Sequence, residues 1–289
     1  GYNFPRLDCE RANQVAAAPP SVTLDQQGLT GAWYFPTTYG QGFNIEFFPS
    51  ADTWSGGWFT FAGPAGGGDN AQRWYTIAGS TLNSQVNIYQ NVGGVLGHPP
   101  ITSATLVGTG TIGFYSCIAG TFSFQFNSGA AGTIPLTRLA PNVRCTLDGA
   151  QAPSNIDFTY SGNWFNPPSS GQGLILEVNS LAHTVFATWY TYDRFGTSGV
   201  SGQRWFTAEP VAATQAGQRT FNMTLFRTVG GAFNQPPTQQ TTTAVGTAQL
   251  TFHNCGSATW SYSFSSGENA GLNGNISLSR VGPIPAGCQ

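Results

Sequence analysis

Apolar and polar residues alternate with period two in short runs along most of the chain, and Gly, Asn, Ser and Pro bound each run. Such alternation sends successive side chains to opposite faces, so it predicts half-buried β-strands rather than helices. In the first half the runs fall near 31–35, 42–48, 54–62, 72–78, 85–92, 103–115, 120–127 and 132–139. The second half gives runs near 161–166, 173–179, 183–192, 203–208, 219–229, 241–253, 258–265 and 273–281, again eight. Eight short antiparallel strands joined by tight turns suit a closed up-and-down barrel, which leaves no sheet edge exposed. Counting strands does not establish closure, so an eight-stranded β-sandwich is the alternative all-β architecture.

The equal tally reflects an internal repeat. "GAWYFPTTYGQGFNIEF" at 31–47 and "GNWFNPPSSGQGLILEV" at 162–178 keep their Trp, Pro, Gly-Gln-Gly and Glu in step. Trp58 and Trp189, and "QRW" at 72–74 and 203–205, hold the same 131-residue offset as Trp33 and Trp164. A duplication of this length predicts two homologous domains, each with its own core. The boundaries read as an N-terminal tail at 1–26, a first domain at 27–143, a linker at 144–156 and a second domain at 157–289.

Composition narrows the class. The chain has 289 residues, 40% of them hydrophobic and 13% aromatic, ample for two cores. Only 8% are charged, against roughly 25% in an average soluble protein, and the basic residues include no Lys. With a formal net charge of -2 there is no basic face for nucleic acid and no polybasic membrane anchor. No apolar run approaches the ~20 residues of a membrane helix, so membrane insertion is not expected. The chain begins at Gly1 without a basic-then-apolar leader, so a signal peptide is expected to be absent from it.

Five cysteines (Cys9, Cys117, Cys145, Cys255 and Cys288) form no C-x-x-C pair, and His98, His183 and His253 stand far apart. Zinc spacing is therefore missing, and no metal is expected. Cysteines of this kind predict a disulfide-bonded, secreted or periplasmic protein. Two connectivities remain open. The repeat-consistent one joins Cys117 to Cys145 and Cys255 to Cys288 and leaves Cys9 unpaired; the rival joins Cys9 to Cys117 and Cys145 to Cys255.

The first strand of each copy carries Gly-x-Trp (Gly31 to Trp33, Gly162 to Trp164), and the last carries an Arg (Arg138, Arg280). These features resemble the avidin and lipocalin (calycin) barrels. The chain also resembles a tandem repeat of secreted bacterial domains with a Gly-x-Trp-Tyr-x-Pro, Gly-Gln-Gly and terminal Leu-x-Arg pattern. The calycin resemblance implies a structural role for Trp33 and Trp164, each plugging a barrel under the guanidinium of Arg138 or Arg280. A cation–π contact of this kind is worth on the order of 1–2 kcal/mol when partly desolvated. It also implies that ligand-contacting polar groups lie between the first two strands, where Gln41 and Gln172 stand.

Three charged positions are shared by the copies: Glu46 with Glu177, Arg73 with Arg204, and Arg138 with Arg280. Alternation turns Glu46 away from Phe43, Ile45 and Phe47. An unpaired buried carboxylate is expensive, so the favoured partner of Glu46 is Arg73, with a ligand-facing or acid–base carboxylate as the competing reading. Binding candidates are Gln41, Glu46, Trp58, Arg73 and Trp74, with their counterparts Gln172, Glu177, Trp189, Arg204 and Trp205. Most of the aromatics are expected to be core, and exposed ones would suit a sugar ring, an apolar small molecule or another protein. Phosphate loops, dinucleotide fingerprints and catalytic triads are absent, so no cofactor is expected and the catalytic residues are unknown. The expected function is non-catalytic binding of a small molecule, a glycan or a surface partner, with self-association possible. The alternatives are a structural subunit of an extracellular assembly and a hydrolase or lyase using Glu46 and Glu177 with Gln41 and Gln172.

Overall fold

A computed structural model describes residues 22–140, 145 and 156–288. The first copy contributes strands β1 (Gly31–Tyr34), β2 (Gly42–Phe48), β3 (Thr53–Phe61), β4 (Gln72–Ser80), β5 (Gln85–Asn91), β6 (Ala104–Ser116), β7 (Ala119–Phe126) and β8 (Ala131–Arg138). The second contributes β9 (Gly162–Phe165), β10 (Gly173–Asn179), β11 (Thr184–Tyr192), β12 (Gln203–Pro210), β13 (Thr220–Val229), β14 (Thr241–Asn254), β15 (Ser257–Phe264) and β16 (Asn273–Arg280). Each set forms a closed antiparallel barrel in sequence order. Closure is short: Trp33 pairs Arg138 and Tyr34 pairs Thr137 in barrel 1, while Trp164 pairs Arg280 and Phe165 pairs Ser279 in barrel 2. These pairs exclude the sandwich.

Inward-facing residues fill both barrels. Phe43, Ile45 and Phe47 of β2 point inward with Trp54, Trp58, Phe114 and Phe122, all buried. Leu174, Leu176 and Val178 of β10 do the same with Trp189, Leu225, Trp260 and Phe252. The indole of each first strand is buried: Trp33 donates Nε1–H to the Leu29 carbonyl, and Trp164 to that of Tyr160. The guanidinium of Arg138 lies 5.3 Å from the Trp33 ring, and that of Arg280 lies 5.4 Å from the Trp164 ring. Val22 and Leu24, in the stretch read from sequence as a tail, pack into the core of barrel 1, and Val22 bridges to Phe114.

Disulfides join Cys117 to Cys145 and Cys255 to Cys288, with Cα–Cα distances of 5.4 and 6.0 Å. This repeat-consistent connectivity rules out the rival scheme; Cys9 lies outside the described residues. Each bond ties the end of a barrel's sixth strand to the segment after its eighth, closing a loop that on the chain-entropy view stabilises by about 3 kcal/mol. Among the described residues no helix is long and apolar enough to cross a membrane.

The barrels lie against each other across a third buried cluster of Phe59, Phe61, Trp74, Ile175, Tyr190, Tyr192 and Trp205. Many residues equivalent in the repeat exchange equivalent contacts across this joint, while Arg227–Asp69 and Asn44–Ile175 occur on one side alone. Such reciprocity defines an isologous, two-fold arrangement, here within one chain.

Candidate functional site

The repeated motifs meet at the joint. Glu46 leaves β2 on its outer face and reaches barrel 2, where it accepts hydrogen bonds from Arg280 Nη2 at 2.5 Å and the Asn163 backbone N–H. Glu177 does the same toward barrel 1, accepting from Arg138 Nη2 at 3.4 Å and from the Ala32 N–H at 3.1 Å. Both ion pairs are almost wholly buried. Complete burial pushes the Glu46 carboxyl up, to about 7, against the opposing pull of Arg280 and the Asn163 N–H. Burial lowers the Arg138 guanidinium, and Glu177 works against that.

The pairing of Glu46 with Arg73 expected from sequence is therefore corrected: each carboxylate is held by the last-strand arginine of the other barrel. Arg73 instead donates to the carbonyls of Asn70 and Gln72 beside its own strand. Arg204 is buried and binds Glu268, and it also crosses the joint to Asn70 Oδ1 at 2.8 Å. Strand counting could not show this, because Arg138 and Glu177 belong to different copies and come together only through docking.

Gly31 and Gly162, which open the Gly-x-Trp strands, follow from the same geometry. Both have positive φ, 137° and 138°. A Cβ at Gly31 would lie 2.1 Å from Glu177 Oε2, and one at Gly162 would lie 2.1 Å from Glu46. Only glycine lets the incoming carboxylate reach the backbone.

The Gly-Gln-Gly elbow has a related role. Gln41 donates to the Ala232 and Gln235 carbonyls and accepts from the Asn234 N–H and Thr60. Gln172 donates to Val95 and His98 carbonyls and accepts from the Gly97 N–H and Thr191. Each Gln thus clamps the loop between the fifth and sixth strands of the opposite barrel. The clamped loop 230–240 inserts Phe233 at the mouth of barrel 1, 5.3 Å from the Trp58 ring. Loop 92–103 inserts Leu96 into the core of barrel 2.

The Gln-Arg-Trp motif completes the joint. Gln72 donates to the Trp205 and Thr228 carbonyls, and Gln203 to those of Trp74 and Asn91. The indoles of Trp74 and Trp205 donate to the Thr191 and Thr60 carbonyls. Of the sequence candidates, the structure brings Gln41, Glu46, Trp74, Gln172, Glu177, Trp205 and Arg204 to the joint. Trp58 and Trp189 lie inside the barrels among other rings, and Arg73 stands at the joint's edge. The histidines share no site: His183 occupies a left-handed turn position like its counterpart Asp52, and no cluster of metal-ligating side chains is present among the described residues.

An open space remains on one side of the two-fold. A groove of about 320 Å³ runs between β1 and β2 of barrel 1 and β11 and β12 of barrel 2. Its apolar walls include Tyr34, Tyr39, Phe59, Phe186 and Trp205, and Thr188, Thr207 and Glu209 supply polar groups. Through Leu139, Phe186 and Glu209 it continues into a second depression of about 460 Å³ beside Glu177.

On the opposite side a side chain bridges the barrels. Asn163, the counterpart of Ala32, donates its side-chain N–H groups to Ser55 O and Oγ at 3.2 and 2.9 Å. Ser55 is the counterpart of Phe186, and Tyr190 stands for Phe59; a Cβ at Gly173 would meet the Tyr190 hydroxyl at 3.0 Å. Tyr39, Leu139, Phe186, Thr188 and Glu209 were not singled out from sequence because they differ between copies. Their signal lay in those differences: Ser55 against Phe186, Gly57 against Thr188, and Ala78 against Glu209.

The chain matches no protein-family model and no curated protein sequence.

Proposed function

We propose that this chain is an extracytoplasmic, non-catalytic binding protein that receives its ligand in the groove between the barrels. The observation carrying this reading is a groove at the joint, lined by residues that the two copies do not share. Concave, mostly apolar sites with a few polar groups, often at domain boundaries, are where small ligands bind. Tyr39 and Leu139 at the groove are 58% and 44% exposed, so apolar surface is available there without rearrangement.

Two further features favour this location and this class. The barrel interiors are occupied by the chain's own rings, which favours a site outside them. Glu46, Glu177, Gln41 and Gln172 are all engaged in holding the halves together, so the groups a Gln/Glu hydrolase would employ are already committed. The two disulfides agree with an oxidising compartment.

Fragment screening by amide chemical-shift perturbation tests the reading. Binders should move Tyr34, Tyr39, Thr207 and Glu209, and Tyr39→Ala should reduce their affinity. Shifts confined to other surfaces, or none with any fragment, would overturn it.

A further inference from the structure

We infer that the ligand of the groove is an uncharged sugar ring, of mono- or disaccharide size, an assignment that rests on the groove-binding reading above. Thr188 is only 2% exposed, faces the groove, and its hydroxyl has no hydrogen-bond partner among the described residues. The side chains of Thr207 and Glu209, on the neighbouring strand, are likewise unengaged among the described residues. Thr188 and Thr207 sit side by side in the β11–β12 register. The groove therefore offers two hydroxyls and a carboxylate together, next to aromatic faces.

Two ligand classes fit these groups poorly, and a sugar fits them well. A purely apolar guest would strip water from Thr188, Thr207 and Glu209 without replacing their hydrogen bonds, and each loss of that kind is unfavourable. An anion would meet Glu209 with no Arg or Lys among the groove's lining residues to balance it. A sugar ring presents an apolar C–H face to Tyr39 and hydroxyls at its edge that both donate and accept. Glu209 accepts only, while the threonines do both, so hydroxyl groups satisfy all three at once. A cavity of about 320 Å³ is at the small end of ligand sites, which limits the occupant to one or two rings.

Calorimetric titration of the full chain tests the assignment. The sugar panel is methyl glucoside, methyl galactoside, N-acetylglucosamine, maltose, cellobiose and chitobiose, with phenethylamine and phenylacetate as charged aromatic comparators. At least one sugar should bind. Tyr39→Ala and Glu209→Gln should each weaken it about tenfold, the scale of losing one good contact. Thr188→Val, which removes the hydroxyl at similar size, should weaken it several-fold, and Leu82→Ala, at an exposed distant turn, should leave it unchanged. If phenethylamine binds with Tyr39 dependence and no sugar does, the sugar assignment fails while the groove remains the site. Sugar binding that ignores all three groove substitutions overturns both the assignment and its location. No binding by any compound removes the support for both readings.

Discussion

The two sides of the internal two-fold start from the same repeated strands and end differently. On one side Asn163 reaches across to Ser55, and the barrels close on each other. On the other, Ala32 has only a methyl group to offer, and Phe186, Thr188 and Glu209 line an open groove. Shared Glu, Arg, Gln and Trp residues hold the halves together on both sides, whereas positions at which the copies differ add one-sided contacts such as Asn163–Ser55 and Arg227–Asp69 and line the groove. A fused pair can change one side alone, as a symmetric dimer of identical chains cannot.

The largest expected effect tests the shared part. Above pH 7, where Glu46 is ionised, Glu46→Ala and Glu177→Ala each leave a buried arginine without its carboxylate, so each should destabilise the chain by about 3–5 kcal/mol, read by denaturant unfolding. Closely similar losses would confirm that the two ion pairs are equivalent; a large loss at only one would break the symmetry. Next come Gly31→Ala and Gly162→Ala, where a side chain must coexist with positive φ and an incoming carboxylate. About 1–3 kcal/mol is expected for each, again by unfolding.

Smaller effects separate the sealed side from the open one. Asn163→Ala removes the bonds to Ser55 and should reduce stability by about 1 kcal/mol. Grafting the sealed pair onto the open side, Ala32→Asn with Phe186→Ser, should abolish binding in the groove in a variant shown by unfolding curves to be folded. Retained binding in that double variant would show that these positions do not define the site.

The subtlest prediction concerns pH. With its carboxyl raised to about 7 in the folded chain, Glu46 keeps its proton in the native state at pH values where the unfolded chain has released it. Burying its charge costs nothing while both states are protonated, below the ordinary carboxyl value of about 4.5, and costs more as pH rises toward about 7, so stability declines across that window. Unfolding curves across that window should show the decline, and Glu46→Gln should remove that part of it.

Strands and repeat could be read along the chain because each depends on local spacing, while closure into barrels rests on the first-to-last strand pairing that only the structure shows. Period-two alternation across "FNIEFF" places Phe43, Ile45 and Phe47 inside whichever sheet they join, and the observed strands lie within about two residues of those read from the sequence. The oddity of Glu46 was also visible, since a carboxylate repeated in a chain poor in charge calls for a partner. Its partner was hidden. Arg73 was near in the repeat, while Arg280 lies 234 residues away and meets Glu46 only after two complete barrels dock.

The groove was hidden for a related reason: a search for likeness between the copies passes over Phe186 and Glu209, which have no likeness to find. By itself, then, the sequence determined the strand pattern, the duplication and the stock of shared polar groups, all set by side-chain periodicity and local backbone preference. Only the tertiary structure decided which carboxylate meets which arginine, which loop plugs which barrel and where space is left open. Those outcomes depend on the relative placement of two preformed surfaces, and no short-range pattern along one chain encodes that placement.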